Sequence, residues 1–95
     1  MTLIPAVSQL QEDNNRVRVT RWQLPPASET GHHVHEYDYV IVPVTPGTLS
    51  VVQDDGTVVQ APLETGVSYF RAAGVSHNVT NQGDADIVFL EVEVK

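Results

Sequence analysis

Short segments that alternate polar and apolar residues, separated by turn signals, most constrain what this chain can fold into. Residues Arg16 to Leu24 read RVRVTRWQL, and the segments TLSVVQ and TVVQAPL flank an Asp-Asp-Gly turn at Asp54 to Gly56. An Asp-Gly pair between two alternating segments is a strong local signal for a β-hairpin. No window shows a sustained 3.6-residue apolar period, which an amphipathic helix would need. We therefore predict an all-β fold, either a sandwich or a barrel.

The remaining segments complete a coarse map of strands. The opening residues to Asn15 are mixed in character and are expected to form an arm or a first strand. Residues His33 to Val44 are rich in β-branched and aromatic side chains and predict one long strand. Pro43 within it has no N–H to donate to a neighbouring strand, so it requires an edge or a bulge.

Composition excludes several classes of function. The chain has 95 residues, 41% of them hydrophobic, and a net charge of −7 from 12 acidic and 5 basic side chains. That charge repels nucleic-acid phosphates and anionic lipid, so we expect neither nucleic acid nor a membrane as partner. With no cysteine, thiolate metal sites and cysteine nucleophiles are excluded. The N-terminal segment lacks the basic and long apolar regions of a secretory signal, so we expect a soluble, cytoplasmic protein.

Three of the four histidines lie in one short segment, Thr30 to Val44, which reads TGHHVHEYDYVIVPV. In an extended strand His33 and His35 point to the same face with backbones about 6.6 Å apart, close enough to bind one ion at about 2.1 Å. His32 points the other way and is expected at the surface or an interface. A His-x-His pair alone is weak evidence, but His77 follows a glycine-containing turn and is available as a third ligand.

The positions of these histidines resemble the two motifs of the cupins, G-x5-H-x-H-x3,4-E-x6-G and G-x5-P-x-G-x2-H-x3-N. The second motif fits Gly66, Gly74, His77 and Asn81, with Ala72 in place of its proline. The first motif supplies His33 and His35 and closes on Gly47, but Gly31 lies too near the histidines. Its glutamate is missing, because that position falls on Tyr39 or Val40.

The resemblance implies a double-stranded β-helix, or jelly-roll barrel, formed by a single cupin domain over residues 1–95. Within it, residues 1–15 would form an N-terminal arm or strand and residues 16–94 the barrel. The sequence is most similar to small single-domain cupins of the type called BauB, which are linked to β-alanine degradation. That link implies a pathway but no particular reaction.

The resemblance also implies a metal site with His33, His35 and His77 as ligands to one divalent transition ion. Neutral imidazoles suit Fe, Ni, Cu and Zn and also accommodate Mn, so the sequence does not choose among these metals. Candidates for the fourth ligand are Asp38, Tyr39 or water. Strict alternation from His35 places Tyr37 and Tyr39 on the metal face and Asp38 away from it, so Asp38 would need a bulge to reach the ion and is otherwise an outer-shell partner.

Other residues near the predicted site have two readings each. Arg71 precedes the turn that leads to His77, where it can bind a substrate carboxylate or form a salt bridge to one of the chain's acids. The aromatic residues are first expected in the wall and core of the barrel, and Trp22 in the core or a dimer contact. The aromatic residues so interpreted are Tyr37, Tyr39, Tyr69 and Phe70.

Three functions remain open from the sequence. The first, which we favour, is a metal-dependent enzyme, such as an oxygenase, isomerase or lyase, acting on a small and anionic organic molecule. The second is a binding or sensing module in which the metal anchors a small acid without turnover. The third is a dimeric barrel whose histidines are only structural. A chain of this length buries little surface alone, so a homodimer is expected.

Overall fold

The computed structural model describes residues 2–95 and consists of strands and turns, with no helix in that range. The strands are β1 (Ile4–Pro5), β2 (Val7–Asp13), β3 (Val17–Leu24), β4 (Ser28–Glu29), β5 (His33–Val34), β6 (Asp38–Pro43), β7 (Gly47–Gln53), β8 (Val58–Leu63), β9 (Tyr69–Arg71), β10 (Ser76–Asn81) and β11 (Ile87–Val94). The prediction of an all-β fold is therefore confirmed. Across residues 2–95 no helix is long and apolar enough to cross a membrane.

The strands form two sheets that face each other. The first sheet has the order β1-β4-β10-β7-β8, with β5 also paired to β10, and the second has the order β2-β3-β11-β6-β9. Strands that are neighbours in a sheet are mostly distant in sequence, because the chain passes repeatedly from one sheet to the other. This alternation between sheets produces the double-stranded β-helix that was expected.

The predicted hairpin is confirmed by the pairing of β7 with β8. The two strands are antiparallel, and their register runs from Gly47 opposite Leu63 to Val52 opposite Val58. At the turn, Gly56 has a φ of +86° and its amide donates to the carbonyl of Gln53 over 2.9 Å. Glycine is suited to this position because a side chain disfavours positive φ.

The prediction of one long strand from His33 to Val44 is wrong. The chain forms β5 in the first sheet, leaves it, and enters the second sheet as β6 at Asp38. Between them the amide of His35 donates to the carbonyl of Val75 over 2.9 Å, and the carbonyl of His35 accepts from Gly74. These bonds stabilise the crossing. Pro43 is the last residue of β6, where its missing N–H does least harm.

The core lies between the sheets and is apolar. Its buried members are Leu24, Tyr39, Ile41, Leu49, Leu63, Val79, Ile87 and Phe89, with Trp22 packed against them. Gly47, which closes the first motif, has a φ of +152°, and a Cβ there would lie 2.8 Å from Cγ1 of Ile87. The close approach of backbone to this core side chain explains why the position is glycine.

Asn81, the last residue of the second motif, is fully buried and organises the turn between β10 and β11. Its amide nitrogen donates to the carbonyls of Leu24 and Ala85, each over 2.8 Å, and its side-chain oxygen accepts from the amide of Gly83. Each of these three backbone groups would otherwise need another partner. This asparagine therefore has a structural role.

Candidate metal centre

The fold brings His33, His35 and His77 together inside the sandwich. His33 on β5 lies directly opposite His77 on β10, and His35 follows β5 where the chain crosses between the sheets. The Nε2 atom of His35 lies 3.0 Å from that of His33 and 3.2 Å from that of His77. The three potential ligand atoms all lie within 4.8 Å of one another. The chain segments that carry them are about forty residues apart, so only the closed fold creates this cluster.

A backbone contact prepares the ring of His33 for ligation. Its Nδ1 lies 2.8 Å from the carbonyl oxygen of Gly31. A carbonyl only accepts hydrogen bonds, so Nδ1 carries the proton and Nε2 keeps its lone pair. Contacts of this kind fix the tautomer and orientation of histidines that bind metals.

The other two histidines are buried and held in their neutral form. His35 is 5% exposed and His77 is 8% exposed. Burial, with a further contribution from the neighbouring His33, lowers the pKa of each of these two side chains to about 4. Because a metal binds the neutral imidazole, neither residue has to lose a proton to bind one at neutral pH.

The donor set fits one transition-metal ion. Two nitrogens that each lie about 2.1 Å from the same ion are separated by at most about 4.2 Å. The two pairs that include His35, at 3.0 and 3.2 Å, satisfy that limit, and the third pair, His33 and His77, lies within 4.8 Å, so a small side-chain rotation brings all three nitrogens to one ion. Neutral imidazole nitrogens are ligands that Fe, Ni, Cu and Zn accept. The cluster can therefore hold a divalent ion through three imidazoles.

The histidines open onto a cavity of about 460 Å³. Its walls are mostly apolar side chains from both sheets, with polar groups near the histidines. Lining residues include Ile41, Leu49, Val51, Val59, Tyr39, Tyr69, Phe89, Gln53, Gln60, Arg71 and Glu91. A concave, largely apolar space with a few polar groups is typical of a small-molecule site.

The two candidates for a fourth ligand lie in different places. The ring of Tyr39 lines the cavity and stacks on His35, with ring centroids 3.9 Å apart. Burial raises its pKa to about 12, so its hydroxyl keeps its proton at neutral pH and is a weak ligand. Asp38 is exposed, does not belong to the histidine cluster, and accepts a hydrogen bond from the amide of Ala73.

The aromatic residues divide between the cavity and the outside. Tyr39 and Tyr69 line the cavity. Tyr37 does not line it and lies beneath the guanidinium of Arg18, 5.8 Å away. Phe70 is 57% exposed, so the expectation that it packs in the wall or core is wrong. It lies between Tyr69 and Arg71 on β9, whose side chains line the cavity, and alternation turns it outward.

Arg71 lines the cavity and forms no ion pair with any residue in the described range 2–95. Its guanidinium lies 4.5 Å from the ring centroid of Tyr69 and donates to the carbonyl of Phe70. The salt bridge considered from the sequence is therefore not formed in this structure. The guanidinium keeps donors available for an anion.

His32 faces away from the other histidines, as alternation predicts. Its Nε2 lies 3.0 Å from a carboxylate oxygen of Asp54 and 2.9 Å from the hydroxyl of Ser76. This group is exposed on the surface. His32 therefore serves as a natural control for the buried cluster.

Glu91 is the residue of the site that sequence reasoning missed. It lines the cavity, and its Oε1 lies 3.9 Å from Nδ1 of His35. Burial, with a further contribution from the charge of Glu93, raises its pKa to about 7. The alternation of β11 indicates that Glu91 points inward, because it follows the core residue Phe89 by two positions and so shares its face.

Comparison with known proteins agrees with this architecture. The family model described as "Cupin domain" matches residues 20–93. The chain is 49% identical over 90 residues to "Beta-alanine degradation protein BauB" of Pseudomonas aeruginosa, which covers 95% of this chain and 94% of that protein. It is 36% identical over 80 residues to an "Oxalate-binding protein" of Thermotoga maritima, covering 83% of this chain but only 64% of that longer protein.

Solved structures lead to the same family. A cupin domain from Bordetella pertussis is 47% identical, covers 100% of this chain and 98% of its own, and superposes with a TM-score of 0.95. A double-stranded β-helix protein from Klebsiella pneumoniae, at 22% identity, a TM-score of 0.77 and coverage of 95% and 76% of the two chains, shares the fold alone. With its two facing sheets, its matched family model and these relatives, the chain belongs to the cupin family.

Proposed function

We propose that this cupin binds one divalent transition metal through His33, His35 and His77 and acts as a metal-dependent enzyme on a small organic acid. The observation that carries the proposal is the convergence of three imidazole nitrogens, with the nearest pairs 3.0 and 3.2 Å apart, at the wall of a cavity of about 460 Å³. A cavity of this size takes a small molecule and leaves no room for a macromolecule. Fe, Ni, Mn, Zn and Cu remain candidates for the metal.

The charge distribution around the histidines favours an anionic ligand. The family motif has a glutamate where this chain has Tyr39 or Val40, so no motif carboxylate offsets the charge of the ion. Arg71 lines the same cavity and has donors free for a carboxylate. The similarity to a protein named for β-alanine degradation supports an acid or a related metabolite of that pathway as ligand.

The residues of the cavity have separate parts in this proposal. A bound divalent ion supplies Lewis acidity and open coordination positions. Arg71 orients the ligand through a carboxylate, and the apolar side chains of both sheets exclude water, which strengthens the electrostatic interactions inside. The Gly31 carbonyl and the neighbouring Tyr39 ring keep the histidines in place.

Metal analysis tests the first half of the proposal. Untagged protein is expected to carry close to one divalent ion per chain, and His33→Ala, His35→Ala and His77→Ala are each expected to lose most of it. His32→Ala is the matched control, because its ring lies at the surface outside the cluster, and it should retain the metal. Equal metal content in all four variants would contradict the proposed ligands.

Turnover assays test the second half. Metal-loaded protein is expected to consume at least one member of a panel of two- to four-carbon acids, amino acids and aldehydes, with product and oxygen uptake both followed. A variant in which His33, His35 and His77 are all changed to Ala is the control and should be inactive. Binding of an acid without any turnover across the panel would contradict an enzymatic role.

A non-catalytic binding or sensing module is the second candidate. Two observations favour it: the metal-ligating glutamate of the family motif is missing, and a 36% identical relative is called an oxalate-binding protein. In this alternative the ion anchors a small acid and the cavity only recognises it. Tight, metal-dependent binding of an acid that the protein leaves unchanged supports this function over the first.

A further inference from the structure

Glu91 is a polar side chain that lies beside apolar residues of the core. On β11 it shares the inward face with Phe89, and its partner on β6 is Ile41. Both neighbours are nearly fully buried. A carboxyl group at such a position loses much of its hydration and has to find other partners.

The protein supplies no such partner within residues 2–95. The nearby cation, Arg18, is already held by Glu93 through two hydrogen bonds of 2.9 and 2.8 Å. Glu91 forms no hydrogen bond within the described range, and the 3.9 Å between its Oε1 and Nδ1 of His35 is longer than a hydrogen bond. Its side chain, 13% exposed, lines the cavity. The oxygens are therefore available to whatever fills that space.

We propose that Glu91 is a specificity-determining residue that accepts a hydrogen bond from an amino or hydroxyl group of the bound acid. Glu91 approaches His35 at Nδ1, whereas Nε2 of the same ring belongs to the cluster, so the donor group has to be a few bonds from the group held at the histidines. Short acids that carry an amino or hydroxyl group have this arrangement. The inference deepens the proposed function and rests on it, since it concerns the same cavity.

Calorimetric titration with three acids of equal chain length tests the assignment. Propanoate carries no donor, 3-hydroxypropanoate carries a hydroxyl, and 3-aminopropanoate carries an ammonium group. Zinc-loaded wild-type protein is expected to bind one or both of the substituted acids at least about tenfold more tightly than propanoate, the advantage typical of a hydrogen bond to a charged acceptor.

Two variants remove different properties of Glu91. Glu91→Met keeps the length but removes the acceptor, so the advantage over propanoate is expected to vanish while propanoate itself binds as before. Glu91→Gln keeps an acceptor but removes the charge, so a preference for the hydroxyl acid persists and a preference for the ammonium acid falls. Glu64→Gln, at an exposed position outside the cavity, is the control and should match the wild type.

The possible outcomes distinguish failure of the role proposed for Glu91 from failure of the proposed binding of a small acid. If the wild type binds the three acids equally, or if Glu91→Met keeps the wild-type preference, the role of Glu91 is overturned and acid binding stands. If zinc-loaded wild type binds none of the three, acid binding and the role of Glu91 are both overturned. Circular dichroism of each variant establishes that it is folded.

Discussion

Acidification of the metal-free protein tests the environment of the histidine cluster. The folded-state pKa of His35 and of His77 is about 4, against about 6.5 in the unfolded chain. Between those values the unfolded chain binds more protons than the folded one. The stability that these residues contribute is therefore fully present above pH 6.5 and is lost as the pH falls toward 4.

Glu91 acts in the opposite direction. Its pKa is raised to about 7 from an ordinary value of 4.5, so the folded protein binds the additional proton between these values. The fold is therefore stabilised by Glu91 as the pH falls from 7 toward 4.5. Between pH 7 and pH 5 the combined effect of these three groups on stability is the difference between the two histidines and this one carboxyl.

The size of each effect on the free energy of unfolding follows from the difference between the folded and unfolded pKa, at about 1.4 kcal/mol per pKa unit. From pH 7 to pH 5 the protonation equilibrium of each histidine lowers the free energy of unfolding by about 2 kcal/mol. That of Glu91 raises it by about 2 kcal/mol. The wild type is thus expected to lose about 2 kcal/mol and Glu91→Gln about 4 kcal/mol. These values are upper limits, because all three side chains keep some exposure to solvent, which screens their charges.

Urea unfolding of chelator-treated protein at pH 7 and pH 5, followed by Trp22 fluorescence and circular dichroism, measures both losses. Glu64→Gln, which alters an exposed glutamate, should behave as the wild type. A wild type that is as stable at pH 5 as at pH 7, together with a Glu91→Gln variant that loses no more stability than the wild type, would contradict the assigned pKa directions.

Three further outcomes are expected. Gly47→Ala should lower the free energy of unfolding by about 1–3 kcal/mol, more than Gly56→Ala, because only at Gly47 does the new Cβ meet a core side chain; equal losses in urea unfolding would contradict this. Asn81→Ala should cost about 2–4 kcal/mol by the same measurement, because it leaves buried backbone groups of the β10–β11 turn without partners, and a loss below about 0.5 kcal/mol would be incompatible with that role. Sedimentation at micromolar concentration should show a homodimer, since β2 is exposed along its whole length and leaves Leu10 uncovered; a monomer would rule this out.

Local patterns in the sequence were enough to predict most of the strands. The alternation in Arg16 to Leu24 corresponds to β3, and the Asp-Gly pair at Asp55 lies at the turn of the β7–β8 hairpin. Both depend on neighbouring residues, which a sequence shows directly. The proximity of His77 to His33 depended on a motif spacing, since no local pattern specifies which strands pair.

Features determined by distant contacts were not predictable in the same way. The β-rich composition of His33 to Val44 suggested a single strand. The break after Val34 could not be read from it, because the break depends on hydrogen bonds between His35 and the distant segment around Val75. Glu91 was missed for a different reason. An acid on a strand is usually turned toward solvent, and only the burial of Phe89 on the same face shows that this one points inward.

The central claim is that three imidazoles from separate segments bind one cation. Anomalous diffraction from crystals of untagged protein, recorded on both sides of the absorption edge of the metal found by elemental analysis, tests it most directly. We expect a single strong peak about 2.1 Å from the Nε2 atoms of His33, His35 and His77. A peak bound elsewhere, or three rings turned away from one another with no peak between them, would contradict it.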